Sequence, residues 1–287
     1  MTLLEIEDLT VRFGAGPGAP APVVDRVGFS LGAGERLGLI GESGSGKSLT
    51  ALAIAGLLPP GATATGSVRL SVPLNAGIRR VRPVPIGPQE LLGQRERILA
   101  GLRGDVIGFV FQEPLTALNP MMRVGAQIGE PLRIHRGHSR RAARAAAVEL
   151  AARVGLPDPE RIVRAYPHQL SGGQRQRVGI AVALACRPAL IIADEPTTAL
   201  DVTVQAEILR LLSGLVHEEG SALLFISHDL AVVAQTCERV AVMRGGRILE
   251  EGPTLDVLRD PREPYTGELV AAARATAWTG VRQEIGP

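Results

Sequence analysis

The stretch Gly41-Glu42-Ser43-Gly44-Ser45-Gly46-Lys47-Ser48 has the spacing G-x-x-x-x-G-K-[ST]. Residues of these types in this order suit a polyphosphate. Glycines let the backbone wrap close to the anion and turn its N–H groups inward. A helix opening at Lys47 adds the positive end of its dipole. The Lys47 amine reaches the β- and γ-phosphates, and the Ser48 hydroxyl is a ligand for Mg²⁺. Of the 31 Lys and Arg residues in the chain, Lys47 is the single lysine. Arginine carries a wide planar fork instead of a compact ammonium on a flexible stem. The amine's size and placement, not its charge alone, therefore set the requirement at this position.

Two further stretches carry chemistry. Leu190-Ile-Ile-Ala-Asp194-Glu195 reads as a buried strand that ends in adjacent carboxylates, followed at once by Pro196-Thr-Thr. An acid at the carboxyl end of a strand lies on the ligand edge of an open α/β sheet. Asp194 is suited to hold Mg²⁺ through water, and Glu195 to polarise an attacking water. Leu170-Ser171-Gly172-Gly173-Gln174 is a turn that opens a helix. Its N–H groups and dipole make a second anion site, though the same residues also suit a simple helix cap.

The elements that must position these residues follow from periodicity. Leu4/Ile6 and Leu9/Val11/Phe13 alternate as a bent or bulged strand, and Val27/Phe29/Leu31 alternate before a turn at 32–35. This opening reads as an antiparallel sheet. Arg36–Ile40 is a short apolar strand leading into the glycine-rich loop. The spacing then predicts a helix from about Lys47 to Leu58, stopped by Pro59-Pro60-Gly61. Gly66–Leu70 reads as a strand, residues 71–90 as an irregular segment with Pro73, Pro83, Pro85 and Pro88, Glu90–Leu102 as a helix, and Val106–Phe111 as a strand. Ser139 is placed to cap a long Ala/Arg helix ending near Gly155, and a second helix follows Gly173. The apolar runs Ala189–Ala193, Leu223–Ser227 and Val240–Met243, separated by helical patterns, imply a buried parallel sheet covered on both faces.

The bulk properties exclude several classes. A net charge of +2 gives no general attraction for nucleic acid. The longest apolar stretches, such as Ala51–Leu58, are too short to span a bilayer. The N-terminal sequence is acidic and alternating, unlike a signal peptide. Cys186 and Cys237 have no metal-type spacing and read as buried thiols in a reducing compartment. His135, His138, His168 and His217 read as surface or packing residues. The basic run Arg133–Arg144 reads first as a solvated helix face, with lipid headgroups or RNA as alternatives.

Taken together, the phosphate loop, the Ser-Gly-Gly-Gln turn and the paired acids resemble the nucleotide-binding subunits of ABC transporters. The resemblance covers about residues 2–260. It implies a RecA-like parallel-sheet core, a small antiparallel β subdomain and an α-helical subdomain at about 113–178. The nucleotide-binding domain is expected over 1–262, with a short C-terminal tail over 263–287. The cofactors implied are ATP and Mg²⁺. Phe13 sits where the family stacks an aromatic on adenine, and Gly41, Ser43, Gly44, Ser45, Gly46, Lys47, Ser48 and Leu49 match its phosphate loop. Gln112 is similar to the Q-loop glutamine that senses Mg²⁺ and the γ-phosphate, with Ser48 and Asp194 as the other metal-side residues. Glu195 matches the catalytic carboxylate, Ala199-Leu-Asp201 the D-loop, and His228 the switch histidine. Ser171, Gly172, Gly173 and Gln174 match the signature motif, which in the family completes the ATP site of the opposite subunit.

The wording between the motifs narrows the resemblance. Phe111-Gln-Glu-Pro-Leu-Thr-Ala-Leu-Asn-Pro120, Tyr166-Pro-His-Gln-Leu-Ser-Gly-Gly, Glu195-Pro-Thr-Thr-Ala-Leu-Asp-Val-Thr-Val-Gln205 and Pro261-Arg-Glu-Pro-Tyr-Thr266 resemble the dipeptide, oligopeptide and nickel importer ATPases. This implies an ATPase on the cytoplasmic face of the inner membrane. Its partners would be two permease subunits, a second ABC ATPase and, indirectly, an extracytoplasmic substrate-binding protein, with Glu113–Ile128 receiving a permease coupling helix. The chain departs from many relatives in having no cysteine after Cys237, so no iron–sulfur cluster is expected, and with the sequence ending at Pro287 no separate regulatory domain is expected. Peptide, nickel, a metal chelate and an opine-like compound stay open as cargo. The competing reading is a soluble ABC ATPase acting on nucleic acid in repair or translation, or as an accessory in phosphonate breakdown. The absence of sustained heptads and of a second cassette counts against the nucleic-acid settings.

Overall fold

The computed structural model describes residues 1–14, 20–72, 86–113, 117–198 and 200–283, with side chains described as far as residue 274. The N-terminal alternation forms β1 (Thr2–Phe13), which pairs antiparallel with β2 (Val24–Gly32) and, on its other side, with β4 (Ala62–Val72). Its register against β2 shifts between Thr2 and Leu4, Ile6 and Leu9, and Leu9 and Val11, and Asp8 within the second of these adopts a φ of 50°. β5 (Gly87–Glu90) closes this sheet in the order β2-β1-β4-β5. The 71–90 segment therefore has strand at both ends, with Ser71 opposite Pro88 and Val72 opposite Gly87. Pro88 is tolerated because β5 is an edge strand. Residues 73–85, which hold Pro73, Pro83 and Pro85, lie outside the described residues.

Two helices are shorter than their sequence patterns. α1 (Lys47–Ala55) ends at Gly56, whose left-handed φ of 64° closes the last turn before the Pro-Pro-Gly stop is reached. α2 (Glu96–Leu102) begins late because Glu90 is committed to β5. The Glu90 carboxylate accepts from Ser67 Oγ at 2.6 Å and from the Val68 N–H at 2.9 Å.

The second sheet has six strands in the order β10-β9-β3-β8-β7-β6. β3 (Arg36–Ile40), β6 (Ile107–Val110), β7 (Leu190–Asp194), β8 (Ala222–Ser227) and β9 (Arg239–Arg244) run parallel, and β10 (Arg247–Pro253) is antiparallel to β9. Period-two alternation divides its side chains between two cores. Ile191, Ala193, Leu223 and Phe225 pack with α3 (Val124–Arg136), α4 (Arg140–Arg153) and α6 (Gly172–Leu184). Leu190, Ile192, Leu224 and Ile226 pack with α1 and the antiparallel sheet. Ser139 caps α4 through its Oγ, which accepts from the Ala142 N–H at 3.1 Å. Between α4 and α6 lies α5 (Pro159–Ile162). Both cysteine thiols are buried, and burial pushes Cys186 up to about 12 and raises Cys237 likewise.

One buried ion pair ties the helical segment to the sheet. Arg136, at the end of α3, pairs with Asp105, whose side chain is 1% exposed, and donates to the Cys186 carbonyl at 2.7 Å. Removing one partner of a buried pair strands the other charge in a poor solvent. Arg136→Met is expected to lower the unfolding free energy by about 3 kcal/mol, read as a drop in the urea midpoint with the slope unchanged.

Candidate active site

The loop after β3 and the start of α1 form one wall of the site. Gly41 has no room for a side chain, because a Cβ would lie 2.0 Å from the Met243 carbonyl oxygen. Gly46 precedes α1 with a φ of 103°, and a Cβ there would lie 2.8 Å from the Val23 carbonyl oxygen. These approaches seat the loop against β9 and the segment before β2, and the loop curls over the start of α1. The Lys47 side chain lies inside the curl, with the residue 4% exposed. Its Nζ donates to the Gly41 carbonyl at 2.8 Å and to the Glu42 carbonyl at 2.9 Å. Burial pulls the ammonium below its ordinary value, while Glu195, Asp194 and Glu42 pull it back up.

The strand ends supply the opposite wall. Asp194 closes β7, and its Oδ1 accepts from Ser48 Oγ at 3.0 Å. Burial raises the Asp194 carboxyl, Glu195 adds to the rise, and the Ser48 bond and Lys47 oppose it. Glu195 Oε2 gathers three neighbours: Gln112 Nε2 donates at 3.2 Å, Thr198 Oγ1 donates at 2.9 Å, and His228 Nδ1 lies at 3.3 Å. Gln112 follows β6 and His228 follows β8, so parallel neighbours bring them to the same edge. Glu195 itself has a φ of 43°, a left-handed value that is strained for a side-chain-bearing residue. Its N–H is held by the Ile226 carbonyl at 3.0 Å.

Between the walls lies a cleft of about 490 Å³ lined by Val23, Ser43, Gly44, Gly46, Lys47, Ser48, Leu49, Gln112, Glu195 and His228. That volume suits a small-molecule ligand. A helix N-terminus, a buried ammonium and close-set loop glycines make its floor an anion cradle. Ser48 Oγ, Asp194 and the Gln112 carboxamide are oxygen donors of the kind Mg²⁺ takes, so the residues present fit both a nucleotide and its metal.

Other expected site residues lie elsewhere. Gly41, Ser45 and Asp194 stand behind the lining. Phe13 is half-buried at the end of β1 opposite Ala62, and Val23 rather than Phe13 lines the cleft. Ser171 and Gln174 form a reciprocal cap at the start of α6: Ser171 Oγ accepts from the Gln174 N–H at 3.3 Å, and Gln174 Oε1 accepts from the Ser171 N–H at 3.0 Å. None of Ser171, Gly172, Gly173 and Gln174 lines this cleft. Gly173 lies against the start of α7 (Val202–Glu219), where a Cβ would come within 2.8 Å of Val204 Cγ1. Asp201 caps α7 by accepting from the Val204 N–H at 3.0 Å. Ala199 lies outside the described residues. Thr198 and Val23 were not singled out from sequence. Thr198 stands in the Pro196-Thr-Thr stretch beside the acids, where a hydroxyl three positions after Glu195 was the available signal.

The model of the ABC transporter family matches residues 24–198. The chain belongs to that family. Among curated members, an ATP-binding protein of Brucella melitensis named for peptide import is 51% identical over 247 residues, covering 86% of this chain and 70% of the relative. The dipeptide transport ATP-binding protein DppD of Haemophilus influenzae is 45% identical over 271 residues, covering 94% and 77%. The oligopeptide transport ATP-binding protein OppD of Salmonella typhimurium is 46% identical over 270 residues, covering 94% and 76%. Among solved structures, the dimeric post-hydrolysis state of the ATP-binding cassette MJ0796 bound to ADP and Pi superimposes with a TM-score of 0.72 at 30% identity, covering 88% of this chain and 99% of that one. The family and fold expected from the motifs are thus both borne out, and the protein is an ABC ATPase.

The snug seat of Lys47 yields a test. Lys47→Arg is expected to weaken ATP affinity by at least about tenfold, or ~1.4 kcal/mol, measured by titration with a fluorescent ATP analogue. Wild-type affinity in that variant would show that charge alone suffices.

Proposed function

We propose that this ABC ATPase powers an importer for peptides or a related small solute, with nickel or a metal chelate as the other cargo classes. The observation that carries the catalytic part is the Glu195 carboxylate, which meets Gln112, Thr198 and His228 beside the loop that holds Lys47. Relatives named for dipeptide and oligopeptide transport support the cargo class and favour transport over the soluble settings.

In this reading Lys47 and the loop amides balance charge on the β- and γ-phosphates, and Phe13, which stands outside the lining of the cleft, would stack on the adenine beyond it. Glu195 orients the attacking water and accepts its proton. Gln112 and His228 contact the same carboxylate and so tie the base to the γ-phosphate side of the site. Ser48, Asp194 through water, and Gln112 would hold Mg²⁺, which would supply charge neutralisation for the phosphates.

Ser171, Gly172, Gly173 and Gln174 stand outside the cleft and would complete the ATP site of a second ATPase, with Asp201 near the coupling of the two sites. ATP that bridges only the closed dimer favours only that state. Hydrolysis then releases it, and the cycle rocks the two permease subunits. The second ATPase is expected to be non-identical, and a substrate-binding protein delivers cargo from outside. Glu113–Ile128 would receive the coupling helix. Its described part includes Met121, 83% exposed, and the start of α3 at Val124. Residues 114–116 lie outside the described residues. The helical subdomain would span about 113–178. Among the described residues no helix is long and apolar enough to cross a membrane. The proposed place is peripheral, on the cytoplasmic face of the inner membrane.

Glu195→Gln is expected to keep ATP binding while phosphate release falls by about 10²- to 10⁴-fold. Purified from membranes of the native host in ATP and Mg²⁺, it should carry permeases and a second ATPase, identified by mass spectrometry. Recovery of soluble proteins or nucleic acid alone would overturn the transport reading, and undiminished turnover would remove Glu195 as the base.

A further inference from the structure

The C-terminal segment reaches back into the nucleotide loop. Tyr265 opens α8 (Pro264–Gln283), is 6% exposed, and its Oη accepts from the Glu42 N–H at 2.9 Å across 223 positions of sequence. That N–H belongs to the same peptide unit as the Gly41 carbonyl, which accepts from Lys47 Nζ at 2.8 Å. The unit is therefore held at both ends, by a phenol on its donor side and by the ammonium on its acceptor side. A peptide is planar, so any rotation that breaks one bond misaims the other. Chained hydrogen bonds also polarise one another, so a partner on the N–H makes the carbonyl a better acceptor for Lys47.

The phenol is itself fixed from several directions. The Arg244 guanidinium lies 4.4 Å from the centre of the Tyr265 ring, and Arg244 Nε lies 3.7 Å from Glu42 Oε1. The start of α8 is clamped by Glu250, whose carboxylate accepts from the Arg262 N–H at 3.0 Å and the Glu263 N–H at 3.2 Å. Further along, Val270 is buried in the same core as Tyr265, and Arg274 Nη2 donates to the Leu258 carbonyl at 3.0 Å. The contacts of Glu250, Val270 and Arg274 place the hydroxyl independently of the loop that it holds.

We propose that Tyr265 is a positioning residue for ATP binding: its hydroxyl fixes the Gly41–Glu42 peptide, and through it the Lys47 ammonium. The inference rests on reading the cleft as the ATP site. It makes the C-terminal helix a working part of that site.

The test uses Tyr265→Phe, which keeps the ring, its packing and the Arg244 contact and removes the hydroxyl alone. The nucleotide-free variant should melt within a few degrees of wild type, as loss of a single hydrogen bond implies. Its ATP dissociation constant should rise by about three- to tenfold, with kcat at saturating ATP within about twofold of wild type. Because Tyr265 acts through Lys47, the same substitution made in a Lys47→Ala background should change ATP affinity no further. An unchanged dissociation constant in Tyr265→Phe, or an equal loss in the Lys47→Ala background, would overturn the inference while leaving the ATPase reading intact. A wild-type protein that neither binds nor hydrolyses ATP would overturn both.

Discussion

A buried ammonium is the constraint on which the site depends. Removing a charge from water is costly unless acceptors and opposite charges replace the solvent. Lys47 receives carbonyls from the loop that surrounds it and the fields of Asp194 and Glu195 from another strand. A loop with bulky residues could not fold back far enough to supply those carbonyls. A sheet of another topology would not bring the acids to the same edge. The glycines, the parallel strand order and the adjacent carboxylates are thus three answers to one electrostatic demand. Asp194 shows the converse cost, since its carboxyl is raised by the same burial that makes the pocket useful.

The two cores divide the labour around that edge. One face of the parallel sheet is covered by α1 and the antiparallel sheet, which carry the phosphate loop and Val23. The other face supports α3, α4 and α6, which carry the Ser171–Gln174 turn away from the cleft. The Arg136–Asp105 pair spans from α3 to the turn that precedes β6. β6 in turn leads to Gln112, so the helical segment and a cleft residue share a rigid support.

Much of this was legible because it is local. Alternation marked β1 and β2, continuous apolar runs marked β7 and β8, and Ser139 marked the start of α4. The phosphate loop and the paired acids were legible because their chemistry fixes both residue type and spacing. What failed was decided by competition or by distance. Gly56 ended α1 early because a left-handed glycine outweighed the apolar pattern beyond it. Glu90 joined a strand because Ser67 and Val68 offered its carboxylate partners that no helical pattern displays. Val23 lines the cleft although nothing in its neighbourhood distinguishes it. The Tyr265–Glu42 bond joins residues from opposite ends of the chain, so no window of sequence could contain it.

The backbone of Glu195 has a consequence for how such chains diverge. A glycine at a φ of 43° would be relieved of a penalty of about 1 kcal/mol, and asparagine tolerates that region better than glutamate does. The backbone itself therefore favours losing the carboxylate, while the charge it lends to Lys47 and its bonds from Gln112 and Thr198 favour keeping it. A descendant that lost it would keep Asp194 and the two loop carbonyls around its lysine, and with them the cradle that binds nucleotide. Inert half-sites are then within reach of duplicated copies of this cassette, because relief of the backbone offsets part of what the lost contacts cost.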